Sequence, residues 1–249
     1  QTRFLILIKK IMEVKEWAKK GKIFSVLDTK IFVVDEGKSE NTLVIFHGYG
    51  TSSIDYNKVL PELTKNFRVV IQDFVGFGFS DKPTNYYFNT LEQTDLTLKL
   101  WRILELKNIT LLSHNYGTQI AFEILTRQRT NLVKIDIKSL IFLNGLISFN
   151  NSSNAEKDTN PLKIFSKKAK LMFTSFSFFK MKIKDLFFDD ETLTEQEIKA
   201  RWVLVNHKNG RDLIDFLPNY NTENKLLWHR CFATLQKNTI PAKIISGKN

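Results

Sequence analysis

The sequence predicts an α/β protein with a doubly wound, mainly parallel sheet, and three observations support this fold class. Short apolar runs rich in β-branched and aromatic residues recur along the chain, as at 42–46 and 109–112. Helix-like runs separate most of them, and strands that alternate with helices are typical of a parallel sheet. Several runs end in glycine-rich or polar loops, which is where such folds place their sites.

Seven strands are expected. The first two form a hairpin around a turn at Leu27-Asp28-Thr29, and the run at 42–46 is apolar throughout, as in a strand buried on both faces. Amphipathic or apolar runs predict helices between the later strands. The expected strands are 22–26, 30–34, 42–46, 67–72, 109–112, 138–143 and 242–246, with helices at about 54–64, 91–104 and 119–128.

The alternation of strands and helices stops after residue 146. A polar stretch at 150–160 is followed by helix-like segments rich in Phe and Lys, including 162–188, and Thr194 with Glu197 forms a capping box that opens a further helix. We therefore predict a core at 21–146, an inserted helical cap at 147–237, and a last core strand within 238–249. The remainder of the core is expected beyond Asn249.

Composition limits the function classes. A chain of 249 residues with 43% hydrophobic residues and 21 Phe has enough apolar material for a folded α/β domain, which excludes wholesale disorder. The net charge of +11 comes mostly from scattered Lys rather than from a basic stripe with interleaved aromatics, so no nucleic-acid partner is expected. The single Cys231 excludes a disulfide within the chain and fits a reducing compartment.

The stretch LLSHNYGTQ at 111–119 has the layout of a nucleophile elbow: a strand, a tight turn and then a helix. The central position of such a turn normally holds Ser, Cys or Asp. Here it holds Asn115. Asn115 is therefore predicted to occupy the nucleophile position in a degenerate form.

Two other stretches fit around this turn. His47-Gly48-Tyr49 follows the third strand, and the N–H of Tyr49 is predicted to form one half of an oxyanion hole, with the N–H of Tyr116 as the other half. A loop at 73–81 shapes the wall beside the site. His47, Gly48 and Trp202, which lies on the capped helix, are predicted as binding residues.

Several of these residues are expected to have structural rather than catalytic roles. Asp73 is expected to hold a turn, His47 to brace the loop after the third strand rather than act as a base, and His114 to be a buried, hydrogen-bonded neighbour of the elbow. Gly76-Phe77-Gly78 does not predict a dinucleotide loop, because the third glycine of that motif is missing and no helix opens there. No cofactor motif and no metal site are predicted.

Residues of the cap also have two interpretations. His207 and His229 are expected to be ordinary polar surface residues. The Phe cluster at 173–188 is expected to be the packing face of the cap, while an apolar mouth for a small apolar or lipid-like molecule is the alternative.

Taken with the cap insertion, these motifs resemble the α/β-hydrolase superfamily, and in particular its haloalkane dehalogenase and epoxide hydrolase branch. Within that branch the chain is similar to the mesoderm-specific transcript protein family over essentially its whole length. The matching pieces are WAKKGKIFSV, FHGYGTSSIDY, IQDFVGFGFSDKP, LLSHNYG, IKSLIFLNG and NTIPAKIISG. The resemblance implies an α/β-hydrolase fold and a hydrolase-like pocket.

The same resemblance exposes a departure at the site. Relatives in this branch carry Asp at the position of Asn115, and their catalytic acid and His would fall beyond Asn249. Asn144 stands where some relatives carry an alternative acid, and it too is uncharged. No complete triad is expected within these 249 residues, so the chain is predicted to be inactive.

Two functional hypotheses remain. The first is a hydrolase of ester, epoxide or carbon–halogen bonds with the nucleophile Asp replaced by Asn. The second is a non-catalytic member of the fold that uses the pocket for binding or scaffolding. The resemblance suggests association with the endoplasmic reticulum membrane, with a cytoplasmic location as the alternative. The run at 4–8 is too short to span a bilayer, and the chain begins with Gln, so a targeting or membrane segment is expected upstream.

Overall fold

A computed structural model describes residues 14–84, 86, 88–145, 175–184, 193–215 and 219–247. The predicted linker at 150–160, the start of the cap at 147 and most of the helix expected at 162–188 lie outside these residues. The fold is described from the remainder.

The α/β fold class is confirmed. Seven strands form one sheet in the order β1-β2-β4-β3-β5-β6-β7. β1 and β2 pair antiparallel, as do β2 and β4, whereas all pairs from β4 through β3, β5 and β6 to β7 are parallel. The strands are β1 (Gly21–Val26), β2 (Thr29–Glu36), β3 (Thr42–Phe46), β4 (Arg68–Gln72), β5 (Ile109–His114), β6 (Ile137–Leu143) and β7 (Ala242–Ile245).

The β1–β2 hairpin turns more tightly than the sequence predicts. Val26 pairs with Thr29, so the loop contains only Leu27 and Asp28, with φ of 47° and 63°. Two left-handed residues in a two-residue loop fit the right-handed twist of the flanking strands. Thr29 therefore belongs to β2.

The helices that cover the sheet are α1 (Leu60–Leu63), α2 (Thr90–Ile103) and α3 (Tyr116–Arg129), and a further helical segment at 14–20 precedes β1. The single helix expected at 54–64 is replaced by a 3₁₀ turn at Ser53–Tyr56 and the short α1. Pro61 stands near the start of α1, where its missing N–H is harmless. Inside one continuous helix it would have removed a hydrogen bond.

The described part of the predicted cap is helical. It contains α4 (Phe176–Lys184), α5 (Glu195–Asn206), a 3₁₀ segment at His207–Asp215, and α6 (Asn219–Gln236). The capping box is present: Thr194 accepts from the N–H of Glu197, and the Glu197 side chain returns to the N–H of Thr194.

Apolar residues cover both faces of the sheet. Alternate residues of β3 point to opposite sides: Val44 and Phe46 join the cluster that includes residues of α2 and α3, and Leu43 and Ile45 join the other. The second cluster also contains Leu204 of α5, so the helical block packs directly on the core. α5 and the 3₁₀ segment after it contact the loops that follow β3 and β4, whereas α6 packs along α3.

Candidate active site

The turn between β5 and α3 has a strained backbone. Asn115 lies between the last residue of β5 and the first residue of α3, at the N-cap position, with φ 47° and ψ −109°, outside the ordinary α and β regions. Gly117 allows the helix to begin so close to β3, because a Cβ there would lie 2.5 Å from the Cβ of Phe46. The turn therefore lifts Asn115 out of both elements, which is how an elbow presents its central residue.

The side chain of Asn115 is directed at the loop after β3. The N–H of Tyr49 donates to Oδ1 of Asn115 over 3.2 Å. Tyr116 is the first residue of α3, and its buried ring contacts Tyr49 and Phe77 edge-on or tilted. The structure thus brings together the three residues predicted for the nucleophile position and the oxyanion hole.

His47 is fully buried beneath this loop. Its Nδ1 donates to the carbonyl of Gly48 over 2.8 Å, and its Nε2 accepts from the N–H of Phe74 over 3.0 Å. This pattern requires the neutral ring, since the charged ring would have no acceptor nitrogen. Burial lowers the pKa of His47 to about 4. The ring therefore ties the loop after β3 to the loop after β4.

Asp73 holds two loops against each other. Its Oδ1 accepts from the N–H of Ser53 over 2.7 Å, and its Oδ2 accepts from the N–H of Phe79 over 2.8 Å. Burial raises the pKa of Asp73, and the two N–H donors oppose that rise. Gly78 passes over the carboxylate, where a Cβ would lie 1.9 Å from Oδ2. Asp73 is therefore a turn-holding residue, as expected.

An ion pair near the elbow was not predicted from the sequence. Asp55, on the 3₁₀ turn after β3, lies 2.7 Å from Nε of Arg201 on α5, and both side chains are mostly buried. Burial raises the pKa of Asp55, and Arg201 opposes that rise. His114 packs on Gly48, and burial lowers its pKa while Asp55 opposes the change. No pattern in one sequence links Asp55 to Arg201, so sequence reasoning could not find this pair.

Two other predicted residues lie in different surroundings. The contacts of Trp202 are within the helical block, where its ring meets Phe176 and Phe179 at 6.0 and 5.2 Å. Its predicted binding role stays a prediction. Asn144, with φ 45°, accepts from the N–H of Gly247 over 3.0 Å, so its side chain ties the end of β6 to the segment after β7.

The site offers hydrogen-bond donors beside a neutral side chain. In the part of the chain that the structure describes, no histidine is hydrogen-bonded to a carboxylate, and no group of three or more His, Cys, Asp or Glu side chains is arranged to hold a metal ion. Nor does any helix there have the length and apolar character needed to cross a bilayer.

Comparison with known proteins agrees with this geometry. The α/β-hydrolase fold family matches residues 41–210. The mesoderm-specific transcript protein of Mus musculus is 33% identical over 240 residues, which are 93% of this chain and 71% of that protein. The human homologue is also 33% identical over the same length.

Solved structures show the same fold. The haloalkane dehalogenase DbeA from Bradyrhizobium elkani has a TM-score of 0.74 at 18% identity, covering 91% of this chain and 80% of that one. The epoxide hydrolase CorEH has a TM-score of 0.73 at 17% identity, covering 92% and 82%. At this level of identity the likeness concerns the fold alone.

Proposed function

Because the chain belongs to the α/β-hydrolase fold family and, within it, to the mesoderm-specific transcript protein family, we propose that Asn115 marks a hydrolase-type site. Its substrate class is ester, epoxide or carbon–halogen compounds, and its nucleophile position carries a neutral amide. The chain as it stands is inactive toward these compounds.

The hydrogen bond from Tyr49 N–H to Asn115 Oδ1 carries the proposal. It supports the view that an oxygen at the tip of residue 115 lies where a backbone donor stabilises developing negative charge. A backbone conformation as unfavourable as that of Asn115 persists only where the surroundings impose it, and such residues cluster at functional sites.

The chemistry at this position depends on one atom. With Asp, a carboxylate oxygen attacks the substrate carbon and forms an ester bond, while the carbon–halogen or epoxide carbon–oxygen bond breaks and the leaving atom takes the electron pair. The amide of Asn115 has no negative charge and is a far poorer nucleophile. Chemistry therefore stops at binding.

The surroundings favour a small apolar or lipid-like ligand. The rings of Tyr49, Phe77 and Tyr116 contact one another beside the elbow, and Tyr49 is only partly buried. Pockets lined by aromatic side chains with a few directed polar groups are typical of such ligands.

The first test measures activity of the unmodified chain. Incubation with small esters, epoxides and haloalkanes is expected to give no turnover above the buffer rate, because loss of a nucleophile typically removes several orders of magnitude of rate. Turnover that disappears in Asn115→Ala would contradict the proposal.

The second test restores the charge. Asn115→Asp is expected to acquire the mass of an alkyl or hydroxyalkyl group from epoxides or haloalkanes, mapped by peptide mass spectrometry to position 115. The matched control is Asn144→Asp, another left-handed Asn at the end of a strand, which is expected to stay unlabelled. Labelling of both variants alike would show general surface alkylation.

A non-catalytic binding module is the second candidate, and the neutral side chain of Asn115 favours it. Under this alternative, folded Asn115→Asp is labelled by no member of the substrate panel, while the unmodified chain still binds a small apolar compound. The two candidates therefore give opposite results in the labelling experiment.

Location is a separate proposal. We propose association with the endoplasmic reticulum membrane, which the family resemblance suggests, with a cytoplasmic location as the alternative. Fractionation of cells that express the whole gene product would distinguish a membrane-bound from a freely dispersed protein.

A further inference from the structure

A cleft opens where the core meets the helical block, and we call it the junction cleft. On the core side it is lined by Gly50, Thr51 and Lys82, and on the block side by Arg201, Leu204 and Gly210. Asn115 is not among its lining residues. Its lining includes the two cationic side chains Lys82 and Arg201, and it has an excess of hydrogen-bond donors over the acceptors described around them.

Arg201 is the first source of this excess. Its side chain is 15% exposed, and its contact with Asp55 has the distance of an ion pair without the direction of a hydrogen bond. Arg201 makes no hydrogen bond with any residue that the structure describes. A guanidinium carries five N–H donors in a planar fork that fits two oxygens of one ligand group.

Lys82 is the second source. The residue is only 8% exposed, and its stem passes under Gly210, where a Cβ would lie 2.7 Å from Cε. Its ammonium donates to the carbonyl of Gly78 over 2.5 Å, which is its one acceptor among the described residues. An ammonium has three donors, and buried donors normally have partners.

The loop after Tyr49 adds backbone donors. Within the described chain nothing accepts from the N–H groups of Gly50, Thr51 and Ser52, although Ser52 is buried. All three residues line the junction cleft. The loop at 50–52, Lys82 and Arg201 therefore line the same cleft.

The acidic side chains nearby are already engaged. Asp73 accepts from two backbone N–H groups, and Asp81 accepts from the N–H of Lys30 and pairs with Lys208 of the block at 2.7 Å. Asp55 pairs with Arg201. The histidine close to Lys82 is His207. Burial lowers the pKa of its ring, so it adds no charge near neutral pH. Among the described residues, no further acid is left for the donors of Lys82 or for those of Arg201 that do not face Asp55.

We propose that the junction cleft binds the oxyanion group, carboxylate or phosphate, of a small ligand, with Arg201 as the fork and Lys82 as the second cation. Charge-assisted bonds of this kind are about twice as strong as neutral ones. The inference goes beyond the hydrolase-type site, since it needs no chemistry at Asn115.

The experiment measures the thermal unfolding midpoint of the 249-residue chain in sodium phosphate and in sodium acetate, at constant ionic strength against sodium chloride. A ligand that binds only the folded state raises the midpoint with its concentration. At least one of the two anions is expected to do so beyond chloride. Phosphate alone points to a phosphorylated ligand, and acetate points to a carboxylate.

Variants assign the site. Arg201→Gln is expected to weaken binding by at least about tenfold, which corresponds to the loss of a charge-assisted hydrogen bond. Arg211→Gln is the matched control, because this exposed Arg lies over the ring of Trp202, and it is expected to bind as the unmodified chain does. If Arg201→Gln does not fold, Arg201→Lys keeps the charge without the fork and is expected to be weaker.

Asp55→Asn separates a binding role from a structural one. It removes the competing carboxylate, so affinity for the anion is expected to rise. The proposal is overturned if neither anion exceeds chloride, if Arg201→Gln and Arg211→Gln behave alike, or if Asp55→Asn leaves affinity unchanged. None of these outcomes bears on labelling of Asn115→Asp, so the two proposals fail independently.

Discussion

Asn115 combines an unfavourable backbone with a directed side chain. Backbone conformations of this kind cost about 1–3 kcal/mol, and Asn tolerates positive φ better than most residues. The cost is met by the hydrogen bonds around the turn, including Asn115 N–H to Leu143 and Thr118 N–H to Asn115. The conformation is thus a property of the surrounding frame, and a change to Asp is expected to leave it in place.

His47 gives the first prediction at the scale of the residue, which concerns pH. Its pKa is lowered by burial from 6.5 to about 4. Between these values the unfolded chain binds a proton that the folded chain does not, so stability falls as pH falls from 6.5 to 4. The contribution of this one group is about 3 kcal/mol.

The measurement is the free energy of unfolding in urea at several pH values for the unmodified chain and for His47→Gln. The His47→Gln variant is expected to be less stable than the unmodified chain at pH 7, because Gln replaces only one of the two hydrogen bonds of the His47 ring. Between pH 4 and 6.5, however, its free energy of unfolding is expected to lack the pH dependence that the binding of one proton to His47 causes. Buried Asp55 and Asp73, whose pKa values are raised, act with the opposite sign in both proteins and cancel in the difference. Equal slopes would show that His47 is not the group responsible.

Helix α3 shows how an element positions the site. Its first turn lies so close to the end of β3 that position 117 has no room for a side chain, and Gly117 meets this requirement. In its last turns Arg127 pairs with Glu123. The Ser113 and Thr118 hydroxyls lie 3.4 Å apart across the elbow. Packing on both sides therefore fixes where the strand ends and the helix begins.

The capping box of α5 gives the prediction at the scale of the element. Thr194→Ala removes the side-chain acceptor for the N–H of Glu197 and is expected to cost about 1 kcal/mol of stability. Thr194→Ser keeps the hydroxyl and is expected to lie within about 0.5 kcal/mol of the unmodified chain. Thermal and urea unfolding of both variants provide the measurement, and equal losses in both would mean that the cap contributes nothing.

Among the described residues, three ion pairs join α5 and the 3₁₀ segment after it to the core. They are Asp55 with Arg201, Lys58 with Glu197, and Asp81 with Lys208. The last two have an exposed partner, so each contributes little on its own. The mostly buried Asp55–Arg201 pair and the packing of Leu204 in the core cluster fix the position of the block.

Glu123 gives the prediction at the scale of the whole molecule. It is buried on α3, and both of its oxygens accept from Arg230 of α6 at 3.0 Å while Arg127 donates over 2.9 Å. Glu123→Ala removes the acceptor that both arginines share, while Arg127 keeps Asp95 and Arg230 is partly exposed to water. The change is therefore expected to destabilise the chain by about 1.5–3 kcal/mol.

The matched control is Glu62→Ala, because Glu62 forms an exposed pair with Lys65. That change is expected to stay within about 0.5 kcal/mol. Free energies of unfolding in urea compare the two. Similar losses would show that the contact between α3 and α6 does not depend on this ionic cluster.

Most elements and the position of the elbow could be predicted from the sequence alone. Strands such as β3 and β5, the capping box at Thr194 and the turn at Asn115 depend on residues within a few positions of one another, and local propensity and periodicity encode them. The exceptions have local causes as well, such as Pro61, which divides one expected helix, and Leu27-Asp28, which close the hairpin in two residues.

Contacts between side chains that are far apart in the sequence became visible only in the folded chain. Arg230 reaches Glu123 across 107 positions of sequence, and Arg201 reaches Asp55 from a different structural unit. Which of many Lys, Arg, Asp and Glu residues pair depends on the path of the chain and on packing, neither of which leaves a periodic signal. The junction cleft is lined by residues from distant parts of the chain, whereas the elbow turn is formed by residues that are neighbours in the sequence. This is why the elbow could be predicted from the sequence and the cleft could not.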